Sequence, residues 1–467
     1  MAAFMDDRYL LTTDTAFRLY NTYAVSQPII DYHSHLPQGE ILSRKRFSSM
    51  TELWLGSDHY KWRLMRAAGI PEDLVTGRRP DKEKFEAFCT ILPLAAGNPI
   101  YHFSHLELKR IFGMDIVINS KNADRIWEEG NAKLAQMDTW FLLDQARVEI
   151  ACTTDDPADD LKQHAELAKT DLKTKVYPAF RPDKAMRINA DTFPAYLEQL
   201  GEAANIRISS FATLMEALVK RVDFFHSQGA RVSDHSIEIR LPEREVSASE
   251  AENVFKKRLA GSHLSCEEQA IYHQAMLVEL GEAYHKYGWT MCFHIGALRN
   301  ANSRMMALLG PDSGYDSVSD MSCVQGIALL LDLLERKNKL TKTMLFCLDG
   351  TQNSKYITLA ASYQDGEIPG KIQYGPGWWF NDTKEGNLQQ LRDLSSNGLL
   401  GTFVGMLTDS RSFASYPRHD YFRRLLCRLV GEWVEAGEYP DDPEALETLI
   451  SGIAYKNARS YFKMNAE

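Results

Sequence analysis

The sequence predicts an α/β fold, a closed (β/α)8 TIM barrel, on three observations. Eight short apolar runs rich in β-branched or aromatic residues recur along its 467 residues, helical stretches separate most of them, and nearly every run carries its chemically capable residues at its end. Strands alternating with helices give a parallel sheet. An open doubly wound sheet competes, but it gathers its chemistry at one switch point, whereas barrel enzymes collect it from the C-terminal ends of many strands. No Gly-x-Gly-x-x-Gly follows the first run, which argues against a nicotinamide cofactor.

In chain order the runs are "PIIDYHSHL", ending in His33 and His35; "VEIACTTDDP", in Asp155 and Asp156; "KVYPAFRP", in Arg181; and "ARVSDHSI", in Asp234 and His235. There follow "TMCFHIGA" with His294, "TMLFCLDG" with Asp349, "KIQYGPGWW" with Trp378 and Trp379, and "TFVGMLTDS" with Asp409 and, just beyond it, Arg411. Between them lie helical stretches such as "PADDLKQHAELAKT" and "VQGIALLLDLLERKNKL". The first and second runs are about 110 residues apart, far more than one crossover helix needs. That interval reads helical ("DHYKWRLMRAAGI", "DKEKFEAFCTIL", "NADRIWEEGNAKLAQ"), so residues 37–147 are expected to form an inserted helical subdomain over the barrel mouth. A smaller excursion falls around residues 190–225. With no internal repeat and no Pro- or Ser-rich linker, one barrel over residues 1–467 is simpler than several domains.

Composition is that of a soluble globular chain, 44% hydrophobic and 25% charged. The net charge of -10, without a basic block, makes nucleic acid and anionic membrane poor partners. Seven scattered cysteines read as buried thiols in a reducing compartment. The N-terminus is acidic where a secretory signal is basic, and no run reaches transmembrane length, so a cytoplasmic location is expected.

The two histidines one residue apart, His33 and His35, point to the same face of a strand and can offer two imidazoles to one metal. Closure makes the first and eighth strands neighbours, which brings Asp409 beside them. Two nitrogens and a carboxylate suit one divalent metal ion, Zn²⁺ or similar, with positions left open for water or substrate. The competing reading of Asp409 is an N-cap. His294, across the barrel, is a further ligand, a substrate contact or a satisfied core histidine. The sixth run ends in Asp349 without a histidine, which favours one metal over two.

Together "DYHSHLP", "SDHYKWRLMR", "GNPIYHFSHLELKR", "TTDDP", "FRPDKA", "SDH", "HIGALRN", "GWWFND" and "VGMLTDSRSF" resemble the uronate (glucuronate) isomerases of the amidohydrolase superfamily. The likeness runs from "YNTYAVSQPIIDYHSHLP" to "KNARSYF". Ser34 departs from the Cys that commonly stands between the two histidines; its side chain is expected to point away from the metal. The resemblance implies a distorted (β/α)8 barrel of the metal-dependent hydrolase type and an aldose–ketose isomerase acting on a small-molecule hexuronate. The reactions implied are D-glucuronate to D-fructuronate and D-galacturonate to D-tagaturonate, without net redox change and without nicotinamide. It implies a metal on His33, His35 and Asp409, with Asp409 also taking the anomeric hydroxyl proton. Tyr60 is then the candidate base for the carbon 2 proton, with Arg411 as the cation that stabilises its phenolate. Arg181, Arg411, Arg459 and His59 are candidates for the substrate carboxylate, and His294 for a further substrate contact. Otherwise Tyr60 packs the insertion onto the barrel, and Arg459 sits on a solvated helix face. Asp155, Asp156, Asp234 and His235 either orient the histidines or cap helices; Trp378 and Trp379 either stack on the sugar or fill the barrel. The rival function is a mononuclear metal-dependent hydrolase of the same superfamily, and a sugar-acid-binding protein without turnover is a third. A homo-oligomer is left open.

Overall fold

The computed structural model describes residues 3–464. Two parallel sheets form its frame. The first contains β1 (Ile29–Asp31), β2 (Val148–Cys152) and β3 (Lys175–Tyr177), in that order. The second contains β4 (Val232–Ile237), β5 (Thr290–Ile295), β8 (Lys342–Cys347) and β9 (Ile372–Tyr374). Between β5 and β8 stands a small antiparallel ladder of β6 (Ala297–Leu298) and β7 (Ser317–Val318). Parallel bridges from Phe180 to Asp155 and to Ser233 tie the two sheets edge to edge. Thr290 pairs with both Val232 and Lys342, so β4, β5 and β8 run level and their C-terminal ends open on the same side.

β4, β5 and β8 are buried along their whole length, so helices cover their outer faces and their sequences read as apolar runs rather than alternations. Their inward side chains meet in one cluster: Ile30, Ile150, Ala179, Val232, Cys292 and Met344 contribute from successive strands or the segment after β3. The last helix, Asn457–Phe462, closes the end of this cluster that lies nearest the strand N-termini. Phe462 stacks on Tyr32 at 4.5 Å between ring centroids, and the Tyr461 carbonyl accepts a 2.5 Å bond from Lys342 Nζ.

Two strand expectations need correction. β1 stops at Asp31, so His33 and His35 stand on irregular backbone just past its end. Residues 402–410, expected to be the eighth strand, form none, because two residues break the extended path. Gly405 has φ +77°, and a Cβ there would lie 2.2 Å from the Ile453 carbonyl; Asp409 has φ +45°. Side chains pair the segment instead. Asp31 accepts bonds from the Thr408 N–H (2.9 Å) and hydroxyl (2.5 Å), and the Gln373 amide bonds Thr402 O and Val404 N–H. Two backbone bonds, Asp409 N–H to His33 O (3.2 Å) and His35 N–H to Ser410 O (2.9 Å), complete the attachment.

Eight α-helices, from Gln38–Leu42 to Thr139–Gln145, fill the interval between β1 and β2. Their starts follow from local chemistry: Ser49, Asp58, Asn98 and Asp138 each accept a backbone N–H of the first turn. Among the described residues no helix is long and apolar enough to cross a membrane.

Candidate active site

Three donor atoms converge where the first strand meets the 402–410 segment. Asp409 Oδ1 lies 3.1 Å from His33 Nε2 and 3.1 Å from His35 Nε2. The strained backbone that ends the extended path at Asp409 is what turns its carboxylate toward the histidines. Spacings near 3 Å between two imidazole nitrogens and a carboxylate oxygen match the edges of a coordination shell with bonds of ~2.0–2.2 Å, so the residues fit one divalent metal ion. Burial pushes the His35 imidazole down to about 4, leaving it neutral at pH 7 with a lone pair to offer. Burial alone would raise the Asp409 carboxyl, but bonds and charges from His33 and His35 hold it well below the usual range. Its second oxygen accepts the Trp378 indole N–H at 2.7 Å, which gives one of the paired tryptophans an orienting role.

Behind the trio sits Asp234, fully buried. One oxygen takes the Nδ1 of His294 in a short bond; the other lies 3.2 Å from Arg181 Nη1 and 3.9 Å from His33 Nδ1. His33, Asp234 and His294 converge closely enough to suggest a second cation site. The Arg181 guanidinium already neutralises Asp234 there, and the carboxylate's one hydrogen bond to an imidazole is the one that orients His294. With Nδ1 engaged, His294, which lines the cavity, has its Nε2 buried and without a hydrogen-bond partner among the described residues. Its ring is clamped between Phe346 (4.7 Å, 9° between planes) and Trp378 (4.5 Å).

The opposite wall comes from the helix His59–Ala67. Asp58 caps it, accepting the N–H groups of Tyr60 (3.0 Å) and Lys61 (3.2 Å). Lys61, 1% exposed, then pairs with Glu107 at 3.0 Å and Asp58 at 3.4 Å, fixing the first turn that carries His59 and Tyr60. Lys61→Ala would leave two buried carboxylates without their cation. It is expected to cost about 3–5 kcal/mol of stability in urea unfolding; a loss below about 1 kcal/mol would show that this pair does not anchor the turn.

The cation beside Tyr60 is Arg418, 5.6 Å from the ring centroid, not Arg411 as the sequence suggested. Arg411 lies on the cavity rim, paired with Asp312 at 2.9 Å. The phenol of Tyr60 stands well above its usual range, mainly through burial and then the charge of Asp409, with Arg418 pulling the other way. His59 stacks on it at 4.6 Å.

A sequence model of the glucuronate isomerase family matches residues 1–462. The chain belongs to the glucuronate isomerase family. It is 50% identical to a uronate isomerase of Caldicellulosiruptor saccharolyticus over 463 residues, 99% of this chain and 100% of the relative. With the Bacillus subtilis uronate isomerase it shares 47% over 471 aligned positions, 100% of this chain and 99% of the other. Its fold is similar to the crystal structures of uronate isomerase from Thermotoga maritima (TM-score 0.93, 34% identity, covering 99% and 100% of the two chains) and glucuronate isomerase from Caulobacter crescentus (0.92, 25%, 100% and 98%).

In this glucuronate isomerase family member the candidate site opens into a cavity of about 760 Å³, which takes in the metal, catalytic and substrate candidates read from the sequence except Arg459; of the further strand-end residues, Asp234 and His235 do not line it. Arg459 projects at the other end of the strands, where it meets the Tyr455 hydroxyl (2.5 Å) and Glu149 (3.3 Å) beside the start of β2. The final helix returns to the strand N-termini, and a position in a linear sequence does not reveal that return. The structure adds Arg299 and Arg418 to the cavity wall. Arg299 stands 4.9 Å over the Trp379 ring and pairs with Glu238 (3.3 Å) and Asp316 (3.4 Å). It lies two residues beyond the β5 run and directly after β6, where closeness to a strand end was a signal; Arg418 begins a helix and gave none.

Asp155, at the cavity edge and 1% exposed, accepts bonds from Thr153 (2.7 Å), Gln38 (3.2 Å) and the Ala179 N–H (3.3 Å), yet burial pushes its carboxyl up to about 7. A pKa raised on folding means that the folded state binds more protons than the unfolded one between about pH 4 and 7. This group's contribution to stability therefore falls as pH rises through that window. Asp155→Asn is expected to flatten the decline by on the order of 1–3 kcal/mol, measured by urea unfolding at pH 4.5 and 7.5. Identical declines in both proteins would mean that Asp155 is ionised in the fold.

Proposed function

We propose that the chain, a uronate isomerase acting on hexuronate sugars, interconverts D-glucuronate with D-fructuronate and D-galacturonate with D-tagaturonate through an enediolate. The observation that carries this reading is the meeting of His33, His35 and Asp409 Oδ1 in one cavity with Tyr60 and Arg181. A distorted (β/α)8 barrel, with residues 37–147 inserted over its mouth, accounts for the placement. Parallel strands share one interior cluster, and the 402–410 segment lies between β9 and β1. A cytoplasmic enzyme agrees with seven free thiols, six of them buried.

His33, His35 and Asp409 would hold a divalent ion, Zn²⁺ by this donor set, which would supply Lewis-acid stabilisation of negative charge on the substrate. Asp409, held as a carboxylate, accepts the anomeric hydroxyl proton, the bond from carbon 1 to the ring oxygen breaks, and the ring oxygen takes up a proton from solvent. Tyr60, with Arg418 at its ring, takes the proton from carbon 2, and the electron pair moves toward carbon 1 to give the enediolate. Return of that proton to carbon 1, with the carbon 2 hydroxyl proton passing to the oxygen on carbon 1, gives the ketose with no net change in oxidation level. Arg181 donates Nε to Asp183 (2.8 Å) and faces Asp234 with Nη1 as an ion pair at 3.2 Å, which leaves Nη2 for substrate. Arg411 can exchange Asp312 for the substrate carboxylate, with His59 beside it and His294 Nε2 on a sugar hydroxyl.

The test is an assay of purified protein for ketose formed from D-glucuronate, with and without chelator. Metal-dependent ketose formation is expected. Amide or ester cleavage without ketose would instead identify a hydrolase, and binding without turnover a sugar-acid carrier.

A further inference from the structure

A second cavity, of about 250 Å³, lies at the opposite end of the strands from the candidate active site, beside Ile29 at the start of β1 and Arg147 just before β2. Its wall is apolar on one side, through Val25, Ile111, Leu142 and Phe413, and cationic on the other. Arg110 is neutralised there, at 2.9 Å from Asp420, the one carboxylate lining the cavity, which also pairs with Arg424 at 3.4 Å. Arg147 and Arg423 have no such partner among the described residues. Arg147 donates to the carbonyls of Val25 and Ser26. Arg423 donates to those of Gln27 (2.8 Å), Pro28 (2.5 Å) and Ala454 (3.1 Å). Only 4% of Arg423 is exposed, and its Nε is buried with no hydrogen-bond partner.

A guanidinium cannot shed its charge at neutral pH, and burying it without an anion is costly. Arg423 is such a group, and Arg147, exposed to solvent, lines the same small cavity close enough to repel it. Burial, aided by the charge of Arg147 and opposed by Asp420, pulls Arg423 down to about 10. Carbonyl dipoles alone offset this poorly, whereas a carboxylate in the cavity, paired with the exposed guanidinium of Arg147 and facing Arg423, would offset it better. From this juxtaposition of Arg147 and Arg423 with an apolar half-wall, we propose that the cavity binds a small organic carboxylate with an apolar body, at a site separate from the sugar site. The size fits a ring or short chain of about six carbons bearing one carboxylate.

Benzoate is a suitable probe, tested on the full-length protein by equilibrium dialysis in the presence of saturating D-glucuronate, so that carboxylate contacts in the sugar cavity are already taken. One benzoate per chain is expected, held more tightly than inorganic phosphate, which has the charge without the apolar body. Arg147→Gln should weaken it by about tenfold, the effect of one charge-assisted contact, while turnover stays as in the parent. Arg423→Lys risks the fold, so Leu142→Trp serves as the second variant: it fills the apolar half and should abolish benzoate binding. The proposal is overturned by no benzoate uptake beside glucuronate, by uptake that both variants leave unchanged, or by phosphate binding more tightly. Dissociation of an oligomer in Arg147→Gln with no benzoate bound would also overturn it, by assigning these charges to a second copy of the chain.

Discussion

Asp409→Asn is expected to lower kcat/KM for D-glucuronate by roughly 10³-fold or more, with the fold intact. The substitution keeps the size of the side chain and an acceptor for the Trp378 indole, so packing around residues 402–410 should persist. It removes the charge that both histidines face at 3.1 Å and sets an amide where a carboxylate oxygen stood. Two losses then combine: the acceptor for the anomeric proton, worth about 10²–10⁴ for a positioned acid–base group, and one of three metal donors. Metal content by elemental analysis should fall in parallel with activity, and thermal unfolding should stay near that of the parent. His33→Ala should behave alike in turnover, since it deletes a ligand and also frees Asp234 from one of its neighbours. Wild-type turnover in Asp409→Asn would remove the carboxylate from the chemistry.

Much of this site was legible because its signals are local. Periodicity and composition picked out the strands, and their polar ends picked out the face on which the cavity opens. The same-face argument for His33 and His35 led to the right convergence even though β1 ends at Asp31, since two residues of near-extended chain suffice to carry it. What failed depended on backbone that departs from regular geometry. Placing Arg411 beside Tyr60 assumed an extended strand through Asp409; with φ at +45° the chain turns there, and Arg411 leaves for the rim at Asp312. Arg418 takes the position by Tyr60 because its guanidinium bonds Thr408 O at 3.2 Å and faces Asp382 at 3.8 Å. Those partners are remote from Tyr60 in sequence, so no spacing rule reaches them. Asp234 was visible as a strand-end acid, but its role depends on Arg181 and His294 arriving from other strands.

Tyr60→Phe is expected to lower kcat by roughly 10²–10⁴ while KM changes by less than about threefold. The two effects separate because only the hydroxyl is lost. The ring keeps its stack on His59 at 4.6 Å and its place under Arg418, and the helix start depends on the backbone N–H of residue 60, which phenylalanine retains. The contacts proposed for substrate through Arg181, Arg411 and His294 are untouched, so ground-state affinity should survive. Isomerisation in D2O adds a readout that simple misplacement would not give. If the phenol oxygen carries the carbon 2 proton, exchange of that position with solvent should vanish in Tyr60→Phe along with turnover. The phenol is disfavoured as a phenolate by burial and then by the charge of Asp409, while Arg418 favours it; a divalent ion held by Asp409 would offset that carboxylate's charge and ease loss of the phenol proton. Unchanged kcat in Tyr60→Phe, or solvent exchange at carbon 2 that persists without turnover, would move the base to another residue of the cavity.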